Sequence, residues 1–542
     1  MKNYLNLIRN EFAGYNAKRF SKDLMAGLTV TAVALPLALA FGVSSGADAA
    51  AGLITAIIAG LVIGALSGAP FQISGPTGAM TAVLISIVVN HSLQSVFIVS
   101  LMAGIMLVLA GVFKLGKLVS LIPRPVITGF TSGIAIIIAL GQIDNFFGTT
   151  SSGNSAIEKL VSYGQLGFSP SLQAVIIGSI VIAIMILWPK KWNARVPSSL
   201  VGIVAATLVS ILFNFDVATI GAIPKTLMPE TRLSLSSIDF SALPSLITSA
   251  VTVAALAMVE SLLCGSSASR MKGQPFDSNQ ELFAQGIGNM LIPFFGGVPA
   301  TAAIARTSVA IKSGCETRMT GIIHALGLLA SMFLLSDVMA QIPYPALAGV
   351  LLMTAWRMNE WPAIKYIFSK HFKGAILKFL ITMVATVIFD LTIAIIIGVV
   401  FSSFLFVYRS SNLTVTASEV KNELLHSSDS NVEKAQKDTT VLYVEGPIFF
   451  GNAEKLLTRV REEIENAGSV IFSMRGASGI DTTGAEVILE IVRECQEKQI
   501  SLIFCGLSGN VRNAFDQAGV TEMIGEDAYF FSVDRALVAR IG

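Results

Sequence analysis

Charge is scarce in this sequence. Asp, Glu, Lys and Arg make up 13% of its 542 residues, apolar residues make up 53%, and mean hydropathy is +0.71. A soluble fold carries roughly 25% charged residues. With so few, this chain could not cover its own surface in water, so lipid is the natural solvent for most of it. The net charge of +2 comes without a dense tract of Lys or Arg, which sets nucleic acid aside as a partner. Cysteines are few: Cys264, Cys315, Cys495 and Cys505 have no paired spacing and no histidine motif near them, so no metal site is expected. The histidines, His91, His324, His371 and His426, are scattered, with no nucleophile–His–acid arrangement, so no enzyme chemistry is expected. A Walker-type glycine loop is missing too. That removes ATP as a driving force, and no cofactor is implied. The start shows no cleavable leader: Met1 to Asp23 is polar and basic, and the first apolar run begins at Leu24. Positive charge flanking a first span places the N-terminus on the cytoplasmic side.

Long apolar runs are abundant instead. A span takes roughly 17–25 predominantly apolar residues. Candidates are Leu24 to Ser44, Ala51 to Leu66, Val96 to Val112, Val126 to Ile143, Leu172 to Trp188, Leu200 to Phe213, Leu246 to Cys264, Gly321 to Leu335, Ala346 to Met358 and Ala375 to Val407. The last is too long for one helix and reads as two, turning near Phe389-Asp390. Several are short, which suits helices buried within a bundle.

Two segments interrupt this pattern. Gln72 to Met80 holds Gly75-Pro76-Thr77-Gly78, and Phe295 to Ala302 holds Gly296-Gly297-Val298-Pro299-Ala300-Thr301; each precedes half a span of apolar sequence. Proline lacks an N–H and glycine tolerates almost any backbone angle, so neither segment can open as regular helix. They read either as surface linkers or as irregular backbone lining a cavity. Each follows two spans, counted from Leu24 and from Leu246, the last span before the second being the weaker run Leu282 to Ile292. Interrupted short helices in matching halves point to an inverted-repeat transporter with a midplane site.

Past Phe406 the character changes. Residues 409–438 are polar and serine-rich, a linker. In 439–542, strands at Val441 to Val444, Val470 to Ser473 and Ser501 to Phe504 alternate with helices at Ala453 to Ala467, Thr482 to Lys498 and Gly509 to Ala518, giving a small α/β domain.

Charge inside an apolar span is costly and therefore suspect. Glu260, late in Leu246 to Cys264, is the best case. An ionised carboxylate is disfavoured there unless a cation sits beside it, and a carboxyl that takes up a proton is what a proton-coupled carrier needs. The other reading is a helix-end glutamate in headgroup water. Arg306, in the second interrupted helix, would neutralise a bound anion or pair with Glu260, or else snorkel to headgroup phosphate. The half-helix N-termini carry unpaired N–H groups and positive dipole ends. Inverted, both would face one point and bind an anion there. The expected donors are the amides near Gly78 and Ala79 and near Ala302 and Ala303, with Thr77 and Thr301 as flanking hydroxyls. Asp144, Glu281 and Asp390 sit near span ends and read as solvated caps. In the tail, Asp481 or Thr482 caps a helix; Thr482 is also a candidate regulatory phosphorylation site.

Together these residues resemble the SulP family of anion permeases. The likeness covers nearly the whole chain and rests on Gln72 to Met80, Val259 to Cys264 and above all Phe294 to Ser308. The tail resembles a STAS domain through Gly446-Pro447-Ile448-Phe449-Phe450-Gly451 and Asp481-Thr482-Thr483-Gly484. The resemblance implies a polytopic α-helical membrane protein with a cytoplasmic segment at 1–23 and a transporter domain at 24–408. Fourteen segments would form two inverted seven-helix repeats, about 24–215 and 240–408, sorted into core and gate domains that move like an elevator. It further implies a homodimer in the cell (inner or plasma) membrane with both termini cytoplasmic, and a cytoplasmic protein partner for the STAS domain. Sodium-using bicarbonate members carry aspartate in the place of Glu260 and threonine in that of Cys264. Both differ here, which favours a coupling proton over sodium. The Glu-Ser-Leu-Leu-Cys run looks most like the dicarboxylate-type bacterial branch. The reading is a proton-coupled secondary transporter of small dicarboxylates. Sodium-coupled bicarbonate transport, proton-coupled sulphate transport, an anion channel and a non-transporting anion sensor stand as alternatives.

Overall fold

The computed structural model describes residues 2–117, 122–152, 156–189, 192, 196–234, 241, 243–389, 391–411, 413–419, 439–465 and 467–539. The chain divides into two compact units, 1–399 and 400–542.

Fourteen helices along the chain match the apolar runs. They are α1 (Ala17–Ser44), α2 (Ala49–Leu66), α3 (Gly78–Asn90), α4 (Leu93–Val112), α5 (Arg124–Gly141), α6 (Leu172–Leu187) and α7 (Ser198–Leu212), then α8 (Leu243–Lys272), α9 (Ser278–Leu291), α10 (Ile304–Lys312), α11 (Met319–Leu334), α12 (Tyr344–Met358), α13 (Lys373–Ile388) and α14 (Leu391–Ser410). Local chemistry starts many of them. Asp48, Ser92, Ser171 and Asp277 each accept an amide of the following first turn, while α5 and α12 open on proline. The long run after Ala375 does break into two helices at Phe389; Asp390 itself lies outside the described residues.

The two sets of seven pack in matching ways. α1 packs on α11 as α8 packs on α4, α2 on α11 as α9 on α4, α1 on α10 as α8 on α3, and α6 on α12 as α13 on α5. Adding or subtracting seven converts each contact into its counterpart, the mark of an internal two-fold repeat. An odd number of spans per repeat makes the second run opposite to the first, so the repeats are inverted. Small residues bring the helices close. A Cβ on Gly104 of α4 would lie 2.8 Å from the Gly286 carbonyl of α9, and one on Gly286 2.7 Å from that of Gly104.

The N-terminal segment is more than a charged flank. A helix at Lys2–Glu11 lies against the turn between α10 and α11, where Glu11 Oε2 accepts from Arg318 Nε (2.9 Å) and Nη2 (2.8 Å). Both side chains are almost wholly buried. Asp23 is buried too, accepting from the Glu316 and Thr317 amides and from the hydroxyls of Thr317, Thr320 and Tyr15.

The second unit holds a five-stranded sheet: β3 (Thr414–Glu419), β4 (Thr439–Glu445), β5 (Ser469–Gly476), β6 (Ser501–Cys505) and β7 (Tyr529–Phe530), in that order. Only the β3–β4 pair is antiparallel. The longer helices are α15 (Ala453–Ile464), α16 (Thr482–Glu497), α17 (Gly509–Ala518) and α18 (Val533–Ala539). Alternate strand residues serve two faces: Leu442, Val444, Val470 and Phe472 pack with α15, α16 and α17, whereas Val441, Ile471 and Ile503 pack with Ala536 and Leu537 of α18. The stretch read as linker therefore contributes an edge strand, β3, and β7 and α18 were not expected.

Candidate functional site

Both interrupted segments are interrupted. Ser74–Gly75 (β1) and Thr301–Ala302 (β2) are two-residue strands, Pro76 and Pro299 lie outside any helix, and helix begins only at Gly78 and at Ile304. The strands pair antiparallel, Ser74 opposite Ala302 and Gly75 opposite Thr301. Antiparallel pairing sends α3 and α10 away from opposite ends of one short ribbon, each with its N-terminus towards it. No surface linker would have this arrangement, since the ribbon residues are buried.

Polar side chains from neighbouring helices satisfy the ribbon's backbone, as an apolar interior demands. Thr55 of α2 donates to the Val298 carbonyl (2.9 Å) and accepts its amide (2.8 Å). Asn289 of α9 does the same for Ala300, at 2.9 and 2.7 Å. Ser261 Oγ accepts the Ala302 amide at 3.2 Å, and Thr307 Oγ1 accepts that of Ile73 at 3.0 Å. Gln285 Nε2 reaches Ser74 Oγ at 2.8 Å. These positions were not singled out from sequence. A signal did exist: Glu281, Gln285 and Asn289 recur every fourth residue, a polar stripe that runs on past the polar first turn of this helix.

Glu260 of α8 lies between the two segments, partly buried. Its Oε2 accepts from Thr77 Oγ1 (2.8 Å) and Thr301 Oγ1 (2.6 Å), and the two hydroxyls are 3.2 Å apart. The headgroup-water reading of Glu260 does not survive this placement. Gly78 at the start of α3 faces Phe41 and Ile138.

The expected amide donors need correction. The Ala302 N–H is taken by Ser261, and that of Ala303 by the Ile73 carbonyl at 2.9 Å. The first helical bonds run from Thr81 to Thr77 and from Thr307 to Ala303. The first-turn amides of the two half-helices, Gly78, Ala79 and Met80 and Ile304, Ala305 and Arg306, therefore have no protein acceptor among the described residues. The anticipated pair shifts one turn position along α10 and stays in place on α3. The first turn of α3 is buried, while Ile304 and Ala305 are exposed.

Arg306 also differs from expectation. It is buried and makes no ion pair with Glu260; its Nη2 donates to the Pro76 carbonyl, and its Nε and Nη1 have no protein partner. The guanidinium passes over Gly75, where a Cβ would lie 2.5 Å from Nη1. Arg306 thus fastens the second half-helix to the first interrupted segment and does not snorkel. Glu281, read as a solvated cap, is fully buried on Ser67 Oγ and Gln285 Nε2. Asp144 accepts from Ser151 Oγ at 2.5 Å and Tyr163 Oη at 2.8 Å. In the second unit Asp481 caps α16, its Oδ1 accepting the Gly484 amide at 2.8 Å, and Thr482 is exposed. Among the described residues no group of His, Cys, Asp and Glu could hold a metal ion.

The profile of the Sulfate permease family matches residues 20–385, and that of the STAS domain matches residues 431–536. The chain is 33% identical to a putative sulfate transporter, YvdB, of Bacillus subtilis, the match covering 96% of this chain and 97% of that one. It is 29% identical to the bicarbonate transporter BicA of a Picosynechococcus species, over 95% and 94% of the two chains. Among solved structures, the transmembrane domain of a cyanobacterial BicA superposes with a TM-score of 0.64 at 30% identity, covering 72% of this chain and 98% of that one. Murine Slc26a9, an anion transporter in its inward-facing state, superposes with a TM-score of 0.85 over 98% and 93% of the chains. At 17% identity it is a likeness of fold.

Proposed function

The chain belongs to the sulfate permease family, a membrane-embedded anion transporter with a STAS domain behind it, and we propose that it accumulates small dicarboxylates by proton symport. The observation that supports this most is Glu260 bonding to Thr77 and Thr301 at once. One protonatable group touches both segments from which the half-helices start. An anion drawn to the free amides of α3 and α10 meets the Glu260 charge. Like charges about 4 Å apart near a protein surface repel by about 4 kcal/mol, roughly a thousandfold in affinity. A proton on Glu260 removes that repulsion, so proton and anion load together.

In this reading Thr77 and Thr301 flank the anion, and Arg306 acts by holding Pro76. The helices of the ribbon side (α1–α4, α8–α11) form the core that moves, elevator-like, against the gate (α5–α7, α12–α14). The transporter works as a homodimer in the cell membrane, with both termini cytoplasmic and a protein partner at the STAS domain, where Thr482 is the regulatory site. A second reading, bicarbonate or sulphate as cargo, is favoured by the names of the two relatives. Uptake of labelled fumarate, bicarbonate and sulphate into proteoliposomes, each under an imposed proton or sodium gradient, tests both. Fumarate accumulation driven by protons alone is expected. Accumulation of bicarbonate or sulphate only would move the assignment to that anion.

A further inference from the structure

The connection between α12 and α13 carries a surface that the transport cycle does not use. It leaves one membrane helix and enters the next, so it lies at a lipid–water boundary whichever way the chain is inserted. Within it Trp361–Ser369 is a short helix. Ile367 on its inner side is buried, and the Phe368 ring meets that of Phe379 of α13 edge-on, centroids 5.8 Å apart. Its outer side is aromatic. Trp361 lies tilted against Trp356 at 4.6 Å and donates its Nε1–H to the Trp356 carbonyl at 3.0 Å. Tyr366 and Phe372 make a second pair at 5.8 Å, and Trp356 and Tyr366 are 61% and 57% exposed. Lys365, Lys370 and Lys373 are exposed in the same stretch, with no carboxylate partner among the described residues. The one acid of this connection, Glu360, accepts from the hydroxyl of Thr128 of α5 at 3.5 Å.

We propose that this connection is a binding surface for anionic phospholipid of the adjoining leaflet. An exposed Trp or Tyr has an apolar body and a polar tip, and the headgroup layer accommodates both. Neutral lipid would satisfy the rings alone. The three unpaired ammonium groups add a demand for net negative charge, which an anionic headgroup meets while the lysine stems lie along apolar surface. A second copy docked through the same face is a poor fit. It would set lysine against lysine and offer only Glu360 in return. Lipid held here fixes the depth of the α12–α13 connection in the bilayer.

The test is quenching of tryptophan fluorescence by brominated lipid, with the full-length protein in vesicles. The chain has 4 Trp, and W188F/W192F leaves only Trp356 and Trp361 to report. Dibrominated phosphatidylglycerol is titrated into phosphatidylcholine, with dibrominated phosphatidylcholine as the neutral comparison. A preference of about tenfold or more for the anionic lipid is expected, since each lysine near an anionic surface adds to it. K365Q/K370Q/K373Q should reduce that preference to about twofold or less, with thermal melting unchanged because all three side chains are exposed. The same three substitutions in protein that keeps every tryptophan give an independent reading, from the quenching they remove. Three results would overturn the proposal: equal quenching by the two lipids, an anionic preference that survives loss of the lysines, or tryptophans that neither lipid quenches, which would put a protein surface over this face.

Discussion

Thr77 and Thr301, 224 residues apart in the chain, bring their hydroxyls to 3.2 Å and share one carboxylate oxygen of Glu260. Each is in the extended stretch that precedes a half-helix, so a side chain bonded to both senses the relative position of the two repeats. If the proton on Glu260 is to control loading, both hydroxyls must stay in place. Thr77→Val and Thr301→Val keep the shape and remove the hydroxyl. Each is expected to lower proton-driven uptake severalfold and to shift its pH dependence. Uptake kinetics in proteoliposomes across pH check this, and an unshifted profile in both variants would separate the hydroxyls from proton coupling.

Gly75 has no room for a side chain, because a Cβ would lie 2.5 Å from Arg306 Nη1. Gly75→Ala should displace the guanidinium from Pro76 and abolish uptake. Arg306→Ala, with Gly75 in place, should leave the Pro76 carbonyl unpaired, at a cost of about 1–3 kcal/mol. Thermal melting of both variants, read alongside anion affinity, distinguishes loss of position from loss of charge.

Asn289 satisfies both the amide and the carbonyl of Ala300, with no water-facing alternative in its buried setting. Asn289→Leu strands two backbone groups at once. A stability loss of about 2–6 kcal/mol follows if each costs the usual penalty for an unpaired buried group. Asn289→Asp can keep only the accepting half and should fall between, as denaturation in detergent would reveal.

The Glu11–Arg318 pair is buried on both sides. Removing one partner, as in Arg318→Met, leaves a buried charge alone and should cost about 3–5 kcal/mol. Replacing both, with Glu11→Leu added, should recover much of that loss in the same melting assay.

Burial pushes the thiols of Cys495 and Cys505 up, to about 11 and about 12. Both therefore stay protonated at pH 8, and the thiolate is the reactive form. Maleimide labelling at that pH should leave them untouched in the folded protein and reach them after denaturation. Rapid labelling of the native protein would contradict their placement in the sheet and α16.

Much of this fold was legible because lipid imposes a length on every span and because Pro76 and Pro299 cannot sit in regular helix. Glu260 and Arg306 were visible as charges in apolar surroundings for the same reason. Their partners were not. β1 and β2 pair across more than half of the membrane part, and two residues of strand leave no periodicity to read. Ala302 and Ala303 looked like anion donors because a helix start was expected there. The strand runs through Ala302 instead, so the Ala302 amide goes to Ser261 Oγ of α8 and that of Ala303 to the Ile73 carbonyl. Arg306 was assigned by its charge alone, whereas the Pro76 carbonyl that claims it is a backbone group any sequence would offer. β3 was missed because Thr414 to Glu419 is polar enough for a linker, as an edge strand can be.

The most direct test of proton coupling compares wild type with Glu260→Gln in proteoliposomes, measuring accumulation of a labelled anion against its own gradient under an inward proton gradient, and anion binding separately. The account predicts that the variant still binds the anion but no longer accumulates it, and that its remaining transport ignores pH. Concentrative, pH-dependent uptake by Glu260→Gln at the wild-type level would contradict it.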